Sequence, residues 1–178
     1  MRETPRLESA RLVLRPDKPE DADALHPTMA DEALMTWWSR APHATIEDTR
    51  ADLAHPSDDW RRWIITMKDD DTAIGFVAMG EKRQGRVSEV GYLLARAHWG
   101  RGIAREAVER VIDHVFGVED QRRIFADTDP DNRASRALLE RMGFVLEGTL
   151  RGEWETHIGV RDSVIYGLLK EEWTVRRG

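Results

Sequence analysis

Apolar and polar positions along the chain predict a succession of strands and helices. Between Ser9 and Pro16, Leu12 and Leu14 alternate with Arg11 and Arg15, the period of a strand with one buried face. Pro19-Glu20-Asp21-Ala22 has the marks of a helix start, a proline followed by acidic residues in the first turn. Ala33 to Pro42 shows no period and carries the adjacent Trp37 and Trp38. Thr45-Ile46-Glu47-Asp48 resembles a capping box and predicts a second helix that ends before Pro56. Trp63 to Lys68 and Ala73 to Gly80 read as antiparallel strands joined at Asp69-Asp70-Asp71-Thr72, and Val87 to Leu94 as the next strand.

The clearest pattern follows. Ile103/Ala104, Ala107/Val108, Val111/Ile112 and Val115/Phe116 recur every four residues, with Glu106, Glu109, Arg110 and Asp113 on the other side. That is an amphipathic helix, and Gly117 is its expected stop. A short strand, Arg123 to Asp127, leads to the turn Asp129-Pro130-Asp131-Asn132. A second helix is expected from Arg133 to Met142, ending at Gly143, and Phe144 to Leu169 reads as two long strands. With no linker, repeat or low-complexity segment, residues 1–178 form one α+β domain with a mixed, mainly antiparallel sheet flanked by helices.

Composition removes several chemistries. Cysteine is absent, so there is no disulfide, thiol nucleophile or thiolate metal site. The six histidines (His26, His43, His55, His98, His114, His157) are scattered without an HExxH pair, and no metal is expected. Neither GxSxG nor GxxxxGKS/T occurs. A net charge of -6 argues against nucleic acid as a partner. No apolar run is long enough to span a bilayer, and the charged start lacks the apolar stretch of a signal peptide. A cytoplasmic location, with no membrane partner, is therefore the expectation.

Between the strand ending at Leu94 and the long helix lies Trp99-Gly100-Arg101-Gly102-Ile103-Ala104. A glycine turn that opens a helix offers free N–H groups and the positive end of the helix dipole, a site for phosphate or pyrophosphate. Two cofactors compete for it. A dinucleotide would use the G-x-G, and Asp127 could serve as its ribose acid, but Arg105 occupies the third-glycine position and alternating parallel strands are lacking. The other is coenzyme A.

The wider set of motifs resembles the GNAT superfamily of acyl-CoA-dependent N-acetyltransferases. Its pyrophosphate loop, Gln/Arg-x-x-Gly-x-Gly/Ala, matches residues 99–104, with Trp99 in the first position. That aromatic is similar to the ribosomal-protein N-terminal acetyltransferase branch, as are Leu7 to Arg15, Glu89-Val90-Gly91-Tyr92, Asn132 to Phe144 and Asp162 to Leu169. The resemblance covers nearly the whole chain and implies acetyl-CoA as cosubstrate and an amine acceptor, either a protein N-terminus or a small amine. A homodimer is its family-level implication. Backbone N–H groups from Gly100 through Ile103 to Ala104 would hold the pyrophosphate, Arg101 and Arg105 would add charge at its edge, and backbone of Tyr92, Leu93 and Leu94 would pair with the pantetheine amides. Asn132 would bond the arm or, equally, cap a helix. Ser135 faces a choice between ligand and solvent.

Acetyl transfer to an amine needs a base, because the amine is protonated at neutral pH. Strand alternation places Glu89 on one face with Val87, Gly91 and Leu93, and makes it the candidate base. A backbone N–H near Leu94 could hold the oxyanion. Many GNAT enzymes protonate the leaving thiol with a tyrosine; the matching position here is Leu139, so Ser135 is the candidate, or bulk water. Trp37, Trp38 and Trp154 are candidates for the acceptor pocket or for core packing, and His157 reads as a surface residue. A non-catalytic acyl-CoA-binding module and, less favoured, a dinucleotide oxidoreductase are the alternatives.

Overall fold

A computed structural model describes residues 3–54, 60–82 and 85–177. The order is β1 (Leu7–Glu8), β2 (Leu12–Arg15), α1 (Asp21–Met29), α2 (Glu32–Met35), α3 (Ile46–Ala54), β3 (Trp60–Met67), β4 (Asp70–Glu81) and β5 (Val87–Leu94). A turn of 3-10 helix (Arg96–His98) then leads to α4 (Ile103–Gly117), β6 (Arg123–Thr128), α5 (Arg133–Met142), β7 (Val145–Thr156), β8 (Gly159–Leu169) and α6 (Lys170–Arg177). The strands form one sheet in the order β1-β2-β3-β4-β5-β6-β8-β7. All its pairings among the described residues are antiparallel except β5 with β6. The α+β expectation therefore holds. Among the described residues there is one parallel βαβ unit, β5–α4–β6, where a dinucleotide fold requires several in succession, which overturns that alternative.

Each sheet face carries its own core. On one, the stripe of α4 packs with Leu139, Met142 and Trp173 against Val90, Leu94 and Tyr166. On the other, Leu25 and Met29 of α1 and Met35 of α2 pack against Ile64, Phe76 and Leu93. Neighbours on β5 thus serve opposite cores, as the alternation of Val90 and Leu94 against Leu93 requires. Thr45 and Asp48 form the expected box: the Thr45 N–H donates to Asp48 Oδ2 (2.8 Å) and the Asp48 N–H to Thr45 Oγ1 (3.3 Å).

Three details differ from the pattern reading. The β3–β4 turn is tighter than expected, because Met67 pairs Asp70 and the polar residues Asp70 to Thr72 ride on β4 as an exposed strand end. The aperiodic segment Ala33 to Pro42 opens with the short helix α2, capped by Asp31, whose carboxylate accepts from the Leu34 N–H at 3.0 Å. Helix α6 has no counterpart in the sequence pattern, because its periodicity rests on one buried side chain, Trp173, whose indole N–H donates to Asp113 Oδ1 at 2.8 Å. No helix among the described residues is long and apolar enough to cross a membrane.

Candidate active site

The sheet opens at its centre. Strands β5 and β6 pair through Val87–Arg123, Ser88–Ile124 and Glu89–Phe125, then part, while β5 runs on to Leu94 and β6 to Thr128. The opening belongs to a cleft of about 1400 Å³. Its lining includes Glu89, Tyr92, Leu93, Leu94, Trp99, Gly100, Gly102, Ile103, Ala104, Arg105, Asn132 and Ser135, together with Trp37, Trp38 and Trp154. Of the candidate cofactor residues, Arg101 is outside this lining: it is exposed and its carbonyl accepts from Arg11 (3.1 Å). Arg105 is tethered to Glu109 one turn along α4, at 2.7 Å.

At one end of the cleft, Gly100 and Gly102 take φ of 70° and 73°, a left-handed conformation that side chains other than glycine rarely adopt. Gly102 is the residue before α4 and offers no side-chain cap, so the first N–H groups of a 15-residue helix stay open. The Trp99 indole N–H donates to the Leu94 carbonyl at 2.7 Å and ties the loop to the end of β5, while the Arg96 guanidinium stacks over its ring (4.8 Å). These open N–H groups and the parted strand edge fit a pyrophosphate followed by a thin diamide arm.

The pairing with β4 decides which parts of β5 face the opening. The Ala95 N–H donates to the Ile74 carbonyl (2.9 Å), and the Leu93 carbonyl approaches Gly75 of β4 so closely that a Cβ there would lie 2.2 Å from it. Antiparallel ladders alternate, so Tyr92 and Leu94 turn their backbone groups to the opening and Leu93 turns its own to β4. The expectation of three backbone partners for the arm is thus corrected to two residues. Leu94 has its N–H left for that purpose, since its carbonyl serves Trp99.

Asn132 takes the capping role: Oδ1 accepts from the Ser135 N–H (3.2 Å), which leaves its amide N–H₂ uncommitted among the interactions at this site. The Ser135 hydroxyl, in the first turn of α5, lies 2.7 Å from the Tyr92 hydroxyl. Burial pushes Tyr92 up to about 12, so this phenol keeps its proton. Leu139 is fully buried in the core and takes no part in the cleft.

Glu89 sits at the point of divergence. It faces the α1–α3 side of the sheet, in one cross-strand row with Gly80 and Trp60. Trp60 lies flat over Gly80, where a Cβ would be 2.6 Å from its ring. The Lys82 ammonium is 2.9 Å from Glu89 Oε2 and 4.8 Å from the Trp60 ring centre. Burial raises the Glu89 pKa above the ordinary carboxylate range; Lys82 opposes that rise and the charge of Asp127 adds to it. Asp127 stands on β6 across the opening, accepting from the Trp154 indole (3.0 Å) and from the Ser163 hydroxyl. Among the tryptophans, Trp38 packs edge-on to Phe76 (5.9 Å between centres), and Trp37 lies beneath the Arg161 guanidinium (5.7 Å).

Sequence reasoning missed Trp60, Lys82 and the position of Asp127. Trp60 and Lys82 carry no motif, and only strand register brings them to Glu89. No three potential metal-binding side chains gather anywhere among the described residues.

Comparison with known proteins accords with this geometry. Residues 11–145 match the sequence profile of a family described as "Acetyltransferase (GNAT) domain". An uncharacterized N-acetyltransferase, p20, of Bacillus licheniformis is 33% identical over 175 residues, covering 94% of this chain and 97% of that protein. A solved GCN5-related N-acetyltransferase from Brucella melitensis superposes with a TM-score of 0.88 at 25% identity, covering 97% of this chain and 82% of that one. RimL, a ribosomal L7/L12 alpha-N-protein acetyltransferase solved with coenzyme A, shares the fold, with a TM-score of 0.80, 22% identity and coverage of 93% and 98%.

Proposed function

This chain belongs to the GNAT acetyltransferase family, and from that premise we propose that Glu89 is the base through which a primary amine takes the acetyl group of acetyl-CoA directly, in a ternary complex. The single observation that carries this reading is the position of Glu89. It is the last residue of β5 paired to β6 before the strands part, partly buried and with its pKa raised. A carboxylate so placed accepts an ammonium proton near neutral pH better than an exposed glutamate does.

Acetyl-CoA supplies the acetyl group already activated as a thioester. The open N–H groups at the start of α4 bind its pyrophosphate, and the edge of β5 at Tyr92 and Leu94 aligns its arm as an added strand would be aligned. Ser135 returns a proton to the leaving thiol, with the Tyr92 hydroxyl behind it as its hydrogen-bond partner. Trp37, Trp38 and Trp154 wall the acceptor half of the cleft. The alternative of a non-catalytic acyl-CoA binder rested on Leu139, and the Ser135–Tyr92 pair provides the hydroxyl that Leu139 lacks.

Release of free thiol from saturating acetyl-CoA across a panel of small amines and peptides tests the proposal. Amine-dependent release is expected, and release no greater than background hydrolysis on every acceptor refutes it. Lys82 offers a second test. Its ammonium lowers the Glu89 pKa by hydrogen bond and by charge. Lys82→Met is therefore expected to raise that pKa further and move the acid limb of the kcat/KM profile to higher pH. A limb that stays in place or moves to lower pH would remove Glu89 as the titrating base.

A further inference from the structure

A second charged locus lines the same cleft on the Glu89 side of the sheet. Arg40 and Arg62 both pair with one carboxylate, Asp52: Arg62 Nη2 lies 3.2 Å from Oδ2, and Arg40 Nη2 lies 3.3 Å from it with Nη1 on Oδ1. The Arg62 side chain is 11% exposed. Its guanidinium stacks over Phe76 (5.1 Å), and that of Arg40 over Trp38 (5.8 Å). Arg62 Nη1 and Arg40 Nε are buried and, among the described residues, have no acceptor. Burial, together with the neighbouring charge of Arg40, pushes the Arg62 pKa down. Asp17 is felt by Arg62 electrostatically but makes no ion pair with it and does not line the cleft.

Two guanidinium groups on one carboxylate leave a positive charge and two N–H donors unanswered. Buried donors normally find partners, and an arginine fork fits a carboxylate in two-point fashion. Strand register connects this locus to the reacting centre. Arg62, Ala78 and Gly91 form one cross-strand row, and Trp60, Gly80 and Glu89 the next row on the same face. Between Arg62 and Glu89 the cleft floor is Ala78, Gly91 and the Trp60 ring, which covers Gly80, with a charged group at each end. Strand spacing and rise put the two Cα atoms roughly 12 Å apart.

We propose that the acceptor is an amine that also carries a carboxylate, with the carboxylate seated on the Arg62–Arg40 pair, the amine at Glu89 and an aliphatic spacer across Ala78, Gly91 and the Trp60 ring. The inference rests on the reading of Glu89 as the amine end. An α-amino acid, with both charged groups on one carbon, is too short for this span; an ω-amino carboxylate with several methylenes fits it. Seating requires the carboxylate to complete the bonds of both arginines with a small turn of their side chains, and the charge of Asp52 remains as it is.

Calorimetry on the protein–CoA complex tests this with 6-aminohexanoate, hexylamine and glycine as probes. At least ~10-fold tighter binding of 6-aminohexanoate than of hexylamine is expected, the scale of a charge-assisted two-point contact, with glycine weaker than 6-aminohexanoate. Arg62→Gln should bring the ratio of the first two near one, and Arg62→Lys should keep part of it. A melting scan and the CoA affinity establish that each variant is folded. Should Arg62→Gln fail to fold, Arg40→Gln makes the same prediction from the more exposed partner. Equal binding of the two six-carbon probes by the wild-type protein, or a preference that survives loss of Arg62, overturns the proposal. Turnover separates the two levels: acetylation of amines with no preference for carboxylates defeats this inference alone. Carboxylate-selective binding with no thiol release on any amine defeats the acetyl-transfer reading and leaves the anion seat standing.

Discussion

Glu89→Gln is expected to lower kcat/KM for amine acetylation by roughly 10²- to 10⁴-fold, the usual scale for loss of a general base. Glutamine keeps the shape of the side chain beside Lys82 and Trp60 and removes only its ability to hold a proton. The coenzyme A dissociation constant should stay close to that of the wild-type protein, because the cofactor end of the cleft begins beyond Glu89, at Tyr92 and Leu94. Steady-state kinetics with a calorimetric CoA titration read both quantities. Asp127→Asn is the informative companion. Asp127 also faces the opening, but its two oxygens already accept from Trp154 and Ser163 and orient those side chains. A smaller loss is expected there, from weaker attraction of the ammonium at the mouth. If Asp127→Asn costs more than Glu89→Gln, the base is Asp127 and the assignment is wrong.

The contrast between these two carboxylates shows how far the sequence carries. Alternation along Val87 to Leu94 was enough to put Glu89 on the face opposite Val90 and Leu94, because that strand is buried on both sides by different cores. The stripe of α4 and the glycines before it were equally legible, since a helix period and a left-handed turn are local properties. What surrounds Glu89 was not. Trp60, Gly80 and Lys82 meet it through the β3–β4 and β4–β5 registers, and one residue of slip would send each to the other face. Asp127 in sequence looked like a ribose acid; it becomes a neighbour of the reacting centre only because β6 runs parallel to β5 and then leaves it. Arg62 and Asp52 sit in different elements whose meeting no short pattern encodes. Trp99 illustrates the middle case. Its place in the loop was readable, but its bond to the Leu94 carbonyl, which removes one of the groups expected for the cofactor arm, was not.

Gly75→Ala should cost about 3 kcal/mol or more, at the upper end of what an overpacked core position costs, and for a chain of this size lower the melting temperature by roughly 6–12 °C. The added Cβ would lie 2.2 Å from the Leu93 carbonyl oxygen and 2.9 Å from the Leu94 Cα. Both are backbone atoms of a central strand, so no side chain can swing aside to relieve the contact. Relief has to come from prying β5 away from β4, and β5 at that point is committed on every side: Leu93 packs into one core, Leu94 into the other, and the Leu94 carbonyl holds Trp99. Damage should therefore spread to the cofactor end, with weaker CoA binding in the fraction that folds. Gly148→Ala on β7 is the matched control, since a Cβ there meets nothing within 4 Å. Its melting temperature should stay within the small range usual for surface substitutions. Gly75→Ala melting with Gly148→Ala would mean that β4 and β5 can separate cheaply. The close backbone approach that sets which edge of β5 faces the cleft would then not be what holds that edge in place.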